Sequence, residues 1–91
     1  MKFTWDIYKQ EINKKKHSIS FNTALLIFHD PFIISTLDHR YFNEERWYSI
    51  GLVNDTIIYV AHTIEENEYG KENIRIISAR LSNRHERKSF S

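Results

Sequence analysis

The sequence predicts an α+β domain, with two N-terminal helices, a four-stranded and largely antiparallel sheet, and a short C-terminal helix. Three observations carry this prediction. Apolar residues recur at helical spacing in the first 30 residues, and two extended runs flank Asn54-Asp55. The third is Ile74-Arg75-Ile76-Ile77-Ser78-Ala79-Arg80, a β-branched run suited to the middle of a sheet. At 91 residues the chain is read as one domain over 1–91, because a second core would bury too little apolar surface to offset its own chain entropy.

Phe3-Thr4-Trp5 reads as a short edge strand or lead-in, and Asp6 as the N-cap of a helix from Ile7 to Lys16. Ile7, Tyr8 and Ile12 are expected to face the core, with Lys9, Asn13 and Lys16 as a second, polar stripe. Ser20 caps a second helix whose inward face is Phe21, Ala24, Leu25 and Phe28, and Asp30-Pro31 ends it. Phe32 to Leu37 reads as a strand, and 38–44 as a loop.

Arg46 to Val53 and Thr56 to Thr63 form a hairpin about Asn54-Asp55, pairing 53 with 56, 51 with 58, 49 with 60 and 47 with 62. One of its faces carries Trp47, Ser49, Gly51, Ile58, Val60 and His62; the other carries Arg46, Tyr48, Ile50, Leu52, Ile57, Tyr59, Ala61 and Thr63. The bulkier second face is expected to meet the helices. The first, with its floor of small residues, is expected to be a groove. Beyond the acidic loop 65–70 comes the strand 74–80, then a helix capped by Ser82 and running through Phe90.

Composition narrows the function. With 41% hydrophobic and 27% charged residues, the chain is neither disordered by composition nor membrane-like. Its longest apolar run, Ala24 to Phe28, is too short to span a bilayer, and the N-terminus lacks a secretory h-region, so a cytoplasmic location is expected. The absence of cysteine excludes disulfides and thiolate metal sites. A net charge of +1 conceals basic ends. Five lysines oppose Asp6 and Glu11 in residues 1–17, and six Lys and Arg oppose Glu72 and Glu86 in residues 71–91. Together such ends favour a polyanion; taken singly, each is also an ordinary solvated face.

The five histidines are scattered without metal-ligand spacing, so neither a metal nor another cofactor is expected. Arginines, a strand histidine and carboxylates remain. Such a set can cut RNA, whose 2′-hydroxyl is its own nucleophile. Arg75 and Arg80 suit the electrostatic role, because guanidinium stays charged and forks around phosphate. His62 suits proton transfer, with Glu45 and Arg46 at the same end of the sheet. Lys9, Asn13, Lys16, His17, Arg84 and Arg87 are candidates for holding the RNA backbone. Against these readings stand structural ones, with His62 as packing and both arginines as ion-pair partners. Five residues apart, Arg75 and Arg80 share a face only if the strand ends or bulges near Ser78-Ala79.

Phe3-x-Trp5-Asp6, Lys9, Asn13, Lys16-His17, Ser20-Phe21, Phe28-x-Asp30-Pro31, Glu45-Arg46, Ile50-Gly51, Val60-x-His62-Thr63, Ile74 to Arg80 and Glu86-Arg87 together resemble the BrnT family of bacterial type II toxins. The resemblance implies a RelE-like fold and a translation-inhibiting endoribonuclease. It also implies a hetero-oligomer with a BrnA-like ribbon-helix-helix antitoxin, through which alone operator DNA is bound. A non-catalytic nucleic-acid- or protein-binding module of the same fold, acting in operon autoregulation, is the competing class.

Overall fold

The structure, a computed structural model, describes residues 1–90. Its one sheet comprises β1 (Lys2–Trp5), β2 (Ile34–Asp38), β3 (Arg46–Val53), β4 (Thr56–Glu66) and β5 (Glu72–Leu81), in the order β1-β5-β4-β3-β2. The sheet therefore has five strands rather than the expected four. The extra strand is the N-terminal lead-in, which pairs in parallel with β5 from Lys2↔Asn73 to Trp5↔Ile76. Its alternation anchors it, since Phe3 meets Phe28 at 5.3 Å and Trp5 meets Phe21 edge-on at 5.9 Å, while Thr4 Oγ1 accepts from Asn73 Nδ2.

Helix α1 (Ile7–His17) starts where predicted, with Asp6 accepting the amides of Tyr8 and Lys9. Its buried face is not the predicted one. Tyr8 and Ile12 are 77% and 66% exposed and Ile7 is exposed too, whereas Asn13 is buried. The reason lies at the end of β1, whose pairing with β5 stops at Ile76. Beyond that point the Ala79 backbone faces an edge without a strand. Asn13 takes the strand's place: Oδ1 accepts from Ala79 N (3.0 Å), and Nδ2 donates to Ala79 O (2.9 Å) and Ile19 O (3.2 Å).

Ser20 caps α2 (Phe21–Ala24), which tightens into a 3-10 segment, Leu25–His29. At three residues per turn, Phe21, Ala24 and Ile27 line up, and these three are fully buried; Leu25 and Phe28 are only partly so. β2 begins two residues later than predicted and ends on Asp38.

The β3–β4 register matches the prediction from Trp47↔His62 to Val53↔Thr56, with Asn54 at φ 55° in the turn. The assignment of the two faces is reversed. Ser49, Ile58, Val60 and His62 are buried with Phe21, Ala24 and Ile27 under the helices, while Tyr48, Ile50 and Tyr59 line an open groove. Gly51 is a point of close approach rather than a groove floor. A Cβ there would lie 2.7 Å from Ile27 Cβ. Gly51→Ala is accordingly expected to cost about 1–3 kcal/mol through overpacking, read as a lower urea midpoint at unchanged m-value.

On β5, Ser78 pairs with Ala61 but Ile76 pairs with His62, so Ile77 is a one-residue bulge. Ile74, Ile76 and Ala79 thereby all enter the core. Arg75 and Arg80 consequently share the open face. Helix α3 (Arg84–Phe90) follows. Its cap is Asn83, reciprocated by Glu86, with Asn83 Oδ1 accepting Glu86 N–H and Glu86 Oε1 accepting Asn83 N–H, both at 2.8 Å. Ser82, the predicted cap, instead donates to Ile57 O.

Candidate functional site

The open face of the sheet and α3 enclose a groove of about 710 Å³, lined among others by Asp38, His39, Arg40, Tyr48, Tyr59, Arg80, His85 and Glu86. Cross-strand pairing builds its floor, as Ile34↔Ile50, Ile50↔Tyr59 and Tyr59↔Arg80 form one row across four strands. Tyr48 stacks on Tyr59 with centroids 5.3 Å apart, and the Arg80 guanidinium lies 3.9 Å from the centre of the Tyr59 ring.

Two arginines line the groove, and each is paired with and aimed by a carboxylate. Arg80 forks onto Glu86, Nη1 to Oε1 and Nη2 to Oε2, both at 2.9 Å, and Nη1 also donates to Leu81 O. Arg40 forks onto Asp38, Nε to Oδ1 at 2.8 Å and Nη2 to Oδ2 at 2.6 Å. The hydrogen bonds from Arg40 hold the Asp38 carboxyl below the usual range. At Glu86 burial pushes upward, but the bonds from Arg80 and Asn83 prevail and lower it. Burial raises the Tyr59 phenol, opposed by the charges of both Arg40 and Arg80, which line the same groove.

Of the predicted site residues, Arg80 alone lines this groove. Arg75 is on the same face but pairs with Thr63, four residues along β4 from Tyr59, roughly 13 Å away at strand rise. There it is ion-paired with Glu44, which Arg46 also approaches, Nε to Oε2 at 3.4 Å. The carboxylate that joins Arg46 and Arg75 is thus Glu44. Glu45 is exposed and accepts from Trp47 Nε1.

Arg84 and Arg87 are exposed on α3 beside the groove, and Arg87 Nη1 donates to Ser82 O. Lys9, Lys16 and His17 lie on α1, away from the groove-lining residues. Asn13, expected to touch RNA, is committed to the Ala79 backbone inside the fold.

His62 is fully buried on the helix side, edge-on to Phe28 at 5.1 Å, and does not reach the groove. Its Nδ1 lies 3.2 Å from the Thr63 carbonyl, which can only accept, so Nδ1 carries the proton and Nε2 accepts from Ser49 Oγ at 2.6 Å. Ser49, having donated, accepts from Ser35 Oγ at 2.7 Å. Burial lowers the His62 pKa, opposed by the bond to Thr63 O. An unfolded chain takes up this proton near pH ~6.5 and the folded chain only at lower pH. Stability is therefore full above ~6.5 and falls as the pH drops towards the folded pKa, by at most about 1.4 kcal/mol per pH unit. Urea midpoints between about pH 5 and 8 are expected to show this slope on the acid side. Asp38 and Glu86, held low, add theirs only at more acid pH.

Sequence reasoning missed Arg40, Asp38, Tyr59, His39 and His85 as groove residues. The one available signal was Asp38-x-Arg40, an acid and a guanidinium two residues apart at a strand exit. Among the described residues, no three His, Asp or Glu cluster as a metal site, and no helix is long and apolar enough to cross a membrane.

Residues 5–86 match the family model described as the ribonuclease toxin, BrnT, of type II toxin-antitoxin system. No curated protein sequence matches the chain. The match spans nearly all of it, so the chain belongs to the BrnT family of type II toxin-antitoxin ribonuclease toxins.

Proposed function

We propose that this BrnT-family toxin cuts RNA in the open-face groove without a metal ion, by attack of the 2′-hydroxyl on the adjacent phosphate. The observation that supports this reading best is the pair of guanidinium groups, Arg40 and Arg80, that line one groove with Tyr59, Arg80 lying over its ring. A phosphate between them would meet two forks, and the extra negative charge of the phosphorane would strengthen both interactions. To engage it, Arg80 shares or exchanges its hold on Glu86, and Arg40 its hold on Asp38. His39 and His85 are the imidazoles on the groove, the side-chain type best suited to taking the 2′-hydroxyl proton and protonating the 5′-oxygen. Arg75 and Arg46, farther along the same face, with Arg84 and Arg87 on α3, would extend the track for the strand. Lys9, Lys16 and His17 then serve another contact, and His62 holds the core.

The partner in this reading is a BrnA-like ribbon-helix-helix antitoxin, which carries the complex to operator DNA. The cellular effect is arrest of translation in the cytoplasm. The bidentate holds of Glu86 on Arg80 and of Asp38 on Arg40 favour the competing reading, a non-catalytic module in operon autoregulation, because they pair both guanidinium charges of the anion site.

Incubating labelled single-stranded RNA with the purified chain in EDTA separates the two. Metal-free attack by the 2′-hydroxyl predicts fragments ending in a 2′,3′-cyclic phosphate. Cleavage that appears only after a divalent cation is added back, or fragments with a free 3′-hydroxyl, would contradict the mechanism.

A further inference from the structure

We propose that the tip of the β2–β3 loop, Tyr41 and Phe42, is a stacking subsite for an unpaired RNA base next to the cleaved phosphate. The inference rests on the reading of the groove as the cleavage site. Loop 39–45 leaves the groove directly, since His39 and Arg40 line it and Tyr41 and Phe42 follow in sequence. Two hollows open against Tyr41 and Phe42: one of about 360 Å³, with Glu44 and Glu45 in its wall, shares Leu37, Asp38 and His39 with the groove, and one of about 380 Å³, with Arg46 in its wall, shares Arg40 with it.

Both ends of the loop are pinned, by the Asp38–Arg40 fork at one and by Glu44, bonded to Arg46 and Arg75, at the other. Between the pins the tip projects. Phe42 is 97% exposed and Tyr41 45%. Tyr41 has guanidinium neighbours, with Arg46 4.3 Å and Arg40 5.9 Å from the centre of its ring, and Phe42 shares the second hollow with both arginines. An open Phe42 ring, next to a Tyr41 ring with Arg46 over it, suits a base and its flanking phosphates. Aliphatic knobs, as on Ile7 and Ile12 of α1, would suit a protein surface better.

The test compares binding of a short single-stranded 2′-O-methyl oligonucleotide, which cannot be cut, with an abasic backbone of the same length. Wild type is expected to prefer the base-bearing strand by about tenfold or more. Phe42→Ala should bring that ratio close to one, and Phe42→Trp should keep it. Folding is not at stake at so exposed a position. An unchanged ratio in Phe42→Ala overturns the subsite and leaves the groove reading intact, whereas an Arg80→Ala chain that binds both strands as tightly as wild type counts against the groove reading alone. Equal binding of the two strands by wild type, or none, also overturns the subsite. So does a Phe42→Ala chain that keeps the ratio but no longer co-purifies with a co-expressed antitoxin, since the tip would then be a protein interface.

Discussion

Arg80→Ala is expected to lower kcat for RNA cleavage by about 10²–10³, equivalent to roughly 3–4 kcal/mol of transition-state stabilisation. The side chain sits over Tyr59 in the groove, with a fork held by the Glu86 carboxylate and by the Leu81 carbonyl. Removing it deletes one of the two guanidinium groups that line the groove, the one over the Tyr59 ring. Lysine restores the charge but neither the fork nor the stacking, so Arg80→Lys should recover only part of the loss. The fold should change little, because the pair with Glu86 is partly exposed and such pairs contribute about 0–1 kcal/mol. Single-turnover kinetics beside a urea titration would separate these effects. Activity within a few-fold of wild type in a folded Arg80→Ala chain would remove this residue from the site.

Asn13→Ala is expected to do the opposite, costing about 3 kcal/mol of stability without altering cleavage by the molecules that remain folded. Its amide makes three buried hydrogen bonds to backbone, two at Ala79 and one at Ile19. Alanine leaves those groups unpaired next to the bulge of β5, at about 1–3 kcal/mol per buried polar group, less where water enters. For a domain of this size that is a large fraction of the total. The local signature is faster exchange of the Ala79 amide. If Asn13→Ala were as stable as wild type but bound RNA more weakly, the side chain would be a surface contact after all.

These two residues mark what could be read from the sequence. Arg80 was legible because a β-branched strand ending in arginine needs only a bulge to present it with Arg75, and the bulge at Ile77 supplies that. Asn13 was misread because helical patterning assumes that an inward face is apolar. Here the face that turns inward replaces a missing strand, which calls for an amide, and Tyr8 and Ile12 are left outside.

The hairpin register followed from its period and turn. Which face lay open did not, because Ser49 and Gly51 look alike as a groove floor and as room for a helix. Bulky Tyr48, Ile50 and Tyr59 suggested a core, yet they line the groove. His62 followed the error, since its strand position was right and its face was the buried one. Arg40 escaped because loop residues have no period, and only the folded strand end brings Asp38 beneath it.

The central claim, that RNA is held on the open face of the sheet, is tested most directly by amide chemical-shift mapping with a 2′-O-methyl strand. Shifts are expected at Thr36, Arg40, Tyr48, Tyr59, Arg80 and His85, with α1 silent. Shifts confined to Lys9, Lys14, Lys15 and Lys16, with Tyr59 and Arg80 unmoved, would place the RNA on the helix instead and contradict the account.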